Sequence, residues 1–61
     1  MEDKYYTTQE IADILKLDYM TVYRWIRAGK LDAYQVQKHY RIKESDFQKF
    51  MEASKTNNKV G

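Results

Sequence analysis

Two amphipathic stretches joined by only three residues constrain this chain more than anything else in it. In TTQEIADIL, residues 7–15, Ile11, Ile14 and Leu15 recur at helical spacing with Ala12 beside them, while Gln9, Asp13 and Lys16 fall opposite. Thr7-Thr8-Gln9-Glu10 fits a capping box, in which a threonine oxygen accepts a first-turn N–H and Glu10 reaches back. This predicts a helix over residues 8–16, with Tyr5 or Tyr6 packing on it as a hydrophobic staple. Only Lys16, Leu17 and Asp18 then separate it from the next stretch. So short a connection makes the two helices meet at a steep angle. Leu17 is expected to fill the space between them. Asp18 is expected to cap the second helix, where its charge suits the positive end.

The second helix is predicted over residues 19–28. Val22, Trp25 and Ile26 share its apolar face, and Trp25 is read as core. Met20, Arg24 and Arg27 point the other way, flanked by Thr21 and Tyr23. Gly29 is placed to end the helix in a left-handed conformation. In the following LDAYQVQKHYRIK, apolar residues alternate with polar ones, which predicts strands over 33–36 and 40–42. The tip is read as Gln37-Lys38-His39, without the glycine or asparagine that would specify a turn type. Tyr34, Val36, Tyr40 and Ile42 are expected to face the helices, and Gln35, Lys38, His39 and Arg41 to face outward. A third helix is predicted over 44–53, with Phe47, Phe50 and Met51 as its apolar stripe against the hairpin. Glu44 and Asp46 suit its first turn. The expected organisation is one domain over residues 1–53 and a flexible tail over 54–61.

Composition limits what such a chain can do. Its 61 residues make one small domain, with nine aromatics and 43% apolar residues, enough for a folded core. It has no cysteine and one histidine, His39, so neither a disulfide framework nor a metal cluster is expected. No cofactor is expected either. No apolar run approaches a membrane span, and MEDKYY has no apolar signal region, so a cytoplasmic location is expected. The net charge is only +2, but residues 1–15 carry −3, residues 16–43 carry +5, and residues 44–61 balance. The basic charge thus gathers on the second helix and hairpin. That pattern fits a polyanionic partner, and equally an ordinary solvated face. No paired carboxylates, nucleophile–base set or phosphate-cradling glycine loop is visible, which argues against an enzyme.

The run from Tyr5 to Phe50 resembles the excisionase-like branch of the MerR-type winged helix-turn-helix proteins. TTQEIADIL matches the first helix, TVYRWIRAGKL the second, and YRI followed by SDFQKF the last strand and helix. The resemblance implies a small α+β winged helix-turn-helix fold, ordered α-α-β-β-α, with a two-stranded antiparallel wing. It also implies that helix 19–28 enters the DNA major groove while wing 36–41 lies on the backbone or minor groove. Two positions depart from the family pattern. Lys16 and Gln37 stand where relatives often have glycine, in the first inter-helix turn and at the wing tip. The wing is accordingly expected to differ in length or shape.

On this reading Arg24 contacts a base edge, where a guanidinium can pair with guanine O6 and N7. A phosphate contact or a surface ion pair is the alternative. Arg27, one turn later, is expected at a phosphate. Met20 and Thr21 suit a thymine methyl, and Tyr23 either a phosphate or packing beside Trp25. Tyr19 begins the helix and is open to either side. Thr8 stands where the N–H groups of the first helix could meet a phosphate. Lys38, His39 and Arg41 are the wing's contacts to phosphates or the minor groove. The expected function is sequence-specific binding of double-stranded DNA, as an excisionase of a phage or mobile element. A small transcriptional regulator of the same fold is the alternative, and a protein-interaction module a weaker one. The implied partners are duplex DNA, adjacent copies of the chain on repeated sites, and an integrase.

Overall fold

The computed structural model describes residues 4–56. Strand β1 (Tyr5–Thr7) leads into helix α1 (Thr8–Leu15) and helix α2 (Tyr19–Arg27). Strands β2 (Tyr34–Val36) and β3 (His39–Lys43) follow, then helix α3 (Glu44–Ser54). This is the small α+β winged helix-turn-helix class expected from the sequence, with one addition. The sheet has three strands in the order β1-β3-β2, all antiparallel neighbours. Tyr5, Tyr6 and Thr7 pair with Lys43, Ile42 and Arg41. The two tyrosines before the cap are therefore strand residues. Only Tyr6 packs against the core, its ring edge-on to Phe47 at 5.5 Å.

Local signals account for the helix ends. The capping box forms in full: Glu10 N–H donates to Thr7 Oγ1 at 3.0 Å, and Thr7 N–H donates to Glu10 Oε1 at 2.9 Å. Helix α2 ends on Gly29 at φ 79°. Gly29 N–H reaches the Ile26 carbonyl and Lys30 N–H the Trp25 carbonyl, the paired bonds of a Schellman motif. A Cβ on Gly29 would meet nothing within 4 Å, so the torsion rather than space selects glycine. Helix α1 ends the same way, with Lys16 N–H on Asp13 and Leu17 N–H on Ala12. Here a lysine holds the left-handed position, at φ 58° and ψ 47°. Asp18 sits at the start of α2 with extended backbone but makes no side-chain cap hydrogen bond.

Gln37 is the other non-glycine residue at positive φ, 59°, among the described residues. It is the first of two residues, Gln37 and Lys38, between the paired Val36 and His39. A two-residue turn with positive φ at its first position matches type II′, which favours glycine there. Both departures from the family pattern thus occupy backbone that an L side chain enters at a cost of roughly 1–2 kcal/mol. Lys16→Gly and Gln37→Gly should each raise stability by about 0.5–1 kcal/mol, after the added chain entropy of glycine is subtracted. Thermal denaturation checks this, and a melting temperature at or below that of the parent chain would contradict it.

The core joins all the larger elements. Ile11 and Ala12 of α1, Val22 of α2, Leu31 after α2, Ile42 of β3 and Phe47 of α3 are buried. Trp25, Ile26, Leu15, Ala33 and Phe50 pack around them. Trp25 meets Phe50 at 4.9 Å, so the α3 stripe reaches α2 and, through Phe47, β1, rather than the hairpin alone.

Several expectations need correction. Ile14 and Leu17 are exposed, Ile14 on the last turn of α1 and Leu17 just after the left-handed turn at Lys16. Met51 is also exposed, on the last turns of a helix that extends past the core. Tyr34 and Val36 face outward rather than toward the helices. The two-residue turn sets Val36 opposite His39 and Tyr34 opposite Arg41. A three-residue tip would have set Val36 opposite Tyr40, and a slip of one residue reverses the face of a whole strand. Gln35, opposite Tyr40, accordingly lies on the helix side of this edge strand, although it remains exposed. The expected tail begins no earlier than Lys55, since α3 runs through Ser54, and its residues 57–61 lie outside the described residues.

Candidate nucleic-acid interface

Helix α2 presents two unlike faces. Val22 is fully buried, and Trp25 and Ile26 are half-buried against the core. On the opposite face Met20, Arg24 and Arg27 are exposed, and Thr21 and Tyr23 stand half-buried at its edges. The division follows from helical spacing: the buried residues are three and four apart, and so are the exposed ones. The three-residue connection to α1 and the packing of Val22 then fix which way the exposed face looks.

A line of aromatic rings runs from this helix to the wing. Tyr19 stacks on Tyr23 one turn later, with ring centroids 6.1 Å apart and planes 17° from parallel. Tyr23 in turn lies 6.0 Å from Tyr40 of β3, tilted by 58°. Arg27 lies one turn past Tyr23 on the same helix, at its C-terminal end. Interaction with the Tyr40 side chain, and then with Tyr23, pushes the Arg27 guanidinium pKa above its ordinary value.

The predicted wing residues divide. Lys38 is exposed at the tip. His39 and Arg41 alternate with Tyr40, which turns toward α2, and so lie on the far face of the sheet. Arg41 lines an open groove of about 400 Å³ there with Tyr5, Tyr34 and Val36, and its Nη1 donates to the Tyr40 carbonyl at 3.0 Å. The structure therefore brings together Tyr19, Met20, Thr21, Tyr23, Arg24 and Arg27, but not His39 or Arg41. Thr8 is also set apart: its side chain is buried at the start of α1 and offers no surface contact.

Tyr40 is the functional candidate missed in the sequence. Alternation placed it correctly on the helix side of the sheet. Nothing local, however, said that it would meet α2 at the helix edge, beside Tyr23 and Arg27. Among the described residues no group of three or more His, Cys, Asp or Glu side chains could hold a metal ion, and no helix is long and apolar enough to cross a membrane.

Residues 5–55 match a family model described as a helix-turn-helix domain. A curated relative, "Uncharacterized protein YvgK" of Bacillus subtilis (strain 168), is 39% identical over 49 residues, covering 80% of this chain and 16% of that protein. The chain thus spans about a sixth of the length of the curated relative it matches. No solved structure matches.

Proposed function

Because the chain belongs to the excisionase-like helix-turn-helix family of DNA-binding domains, we propose that it is an excisionase, binding specific duplex sites to direct a recombination reaction. The observation that supports this most is the exposed face of α2. Two arginines and a methionine are exposed on a helix whose other face is locked into the core. A helix so mounted fits the major groove, which is wide enough to admit it. Arg24 lies in the middle of that face and reads a base edge. Tyr19, Met20, Thr21 and Tyr23 border it, while Arg27 and Lys38 hold backbone phosphates on either side. One such helix reads only a few base pairs, so adjacent copies on repeated sites supply the remaining specificity. An integrase is the protein partner.

A transcriptional regulator is the second reading. It is favoured by the relative, in which a similar stretch forms only a small part of a longer protein. One experiment separates the two. In an excision assay with integrase and its DNA junctions, the chain should stimulate excision. Arg24→Ala should lose that stimulation, together with roughly 1–3 kcal/mol of binding and much of the sequence preference. A chain that binds its selected duplex tightly yet leaves excision unchanged would support the regulator. Unchanged affinity and preference in Arg24→Ala would remove Arg24 from base reading.

A further inference from the structure

We propose that the open edge of β2 pairs with the same edge of a second copy of this chain, antiparallel and centred on Gln35. Two three-stranded sheets then join, β2 against β2, into one continuous sheet.

The direction of the backbone groups carries this. N–H and C=O groups along a strand point alternately to its two sides. The hairpin closes on Val36 opposite His39, and Tyr34 stands opposite Arg41. Residues that flank a two-residue turn exchange both their hydrogen bonds, and so does every second pair beyond them. Val36 and Tyr34 therefore bond inward to β3, and Gln35 turns its N–H and C=O outward. The other side of β3 agrees. Glu44 N–H meets the Lys4 carbonyl at 2.9 Å, so even-numbered residues there bond toward β1 and His39 and Arg41 toward β2. At the opposite edge of the sheet, Thr7 N–H of β1 is already held by Glu10 Oε1. Strand β2 has no such cover. It contains no proline, lysine or bulge, and Tyr34 and Val36 are 53% and 55% exposed.

This edge is complementary to itself. Hydrogen bonds form where outward-pointing residues of both copies meet, and only Gln35 against Gln35 uses the whole strand. Tyr34 then stands opposite Val36 of the second copy, twice, on the far face of the sheet. Aromatic and β-branched residues stabilise a sheet when paired in this way. They extend the apolar surface on which Tyr5 meets Tyr34 edge-on at 6.2 Å. Charge selects the same register. Two positions further along, exposed Asp32 comes level with exposed Lys38 of the second copy, at both ends. A slip of two residues would set Lys30 or Tyr34 level with that lysine instead. A lysine has three donors, so Lys38 can still hold a phosphate.

So short an edge covers far less than the roughly 1,200 Å² of a stable interface, and the pair should dissociate on the order of 1 mM. Neighbouring copies on one DNA molecule meet at such effective concentrations. The twofold of the pair then calls for half-sites in inverted order. That consequence rests on the DNA-binding reading; the pairing does not.

The test therefore uses no DNA. Amide shifts and translational diffusion of the isotope-labelled chain are followed by nuclear magnetic resonance at low salt, from about 0.05 to 2 mM, a range that spans the expected dissociation constant. Amides of Tyr34, Gln35 and Val36 should shift with concentration while diffusion slows. Gln35→Pro removes the outward N–H without touching a bond to β3, a position where an edge strand tolerates proline, and should abolish both changes. Lys38→Glu should weaken association by setting like charges together, and adding Asp32→Lys should restore it. The proposal is overturned by a parent chain that shows no concentration dependence, by shifts confined to other elements, or by Gln35→Pro associating like the parent. A charge swap no better than Lys38→Glu alone overturns it too, and this arm decides if Gln35→Pro does not fold.

Discussion

Leu31→Ala is expected to remove about 2–5 kcal/mol of folding stability. Leu31 is 1% exposed and lies at the centre of the core with Ile11, Val22 and Ile42. It follows the Gly29 turn directly, and its N–H bonds the Trp25 carbonyl, so its backbone is held in place and cannot shift to fill the space a smaller side chain leaves. A chain of 61 residues has a total stability of only about 3–9 kcal/mol, so this one substitution consumes a large part of it. Leu17→Ala is the matched control. The same side chain is 42% exposed there, and its removal should change stability by no more than about 0.5 kcal/mol. Urea denaturation followed by circular dichroism measures both. Equal effects at the two leucines would contradict the core described above.

The second large effect is on DNA binding. If about five phosphates are neutralised, the log–log dependence of affinity on salt should have a slope near −4 to −5. Raising salt from about 50 to 200 mM should then weaken duplex binding roughly 250- to 1000-fold. The basic charge that produces this lies between Lys16 and Lys43, where the net charge is +5 against +2 for the whole chain. A module that bound a partner helix through apolar contact would keep its affinity across the same range. A flat salt series would therefore count against DNA as the ligand.

Much of this was legible because it depends on short range. The Thr7–Glu10 capping box, the Gly29 stop and the two faces of α2 are set by neighbours within one or two helical turns, and the sequence carries them openly. The turn of only three residues made the two helices meet, and the alternation of apolar and polar residues supplied the hairpin. The candidate site was legible on α2 for the same reason: Arg24, Arg27 and Met20 fall opposite Val22 by spacing alone.

What escaped depends on distant pairing or on a single torsion. Strand β1 forms because Tyr5–Thr7 finds β3 more than 30 residues later, and three residues are too few to show alternation. The outward turn of Tyr34 and Val36 follows from Gln37 adopting a positive φ that closes the hairpin in two residues, where the local sequence advertises no such turn. That same register sends His39 and Arg41 to the far face of the sheet and brings Tyr40 to Tyr23 and Arg27. The sequence by itself determined where the helices begin and end and which side of α2 is offered. Only the tertiary structure decided which wing residue meets that side, because strand register and the packing of β3 against α2 are properties of the assembled sheet and of no segment alone.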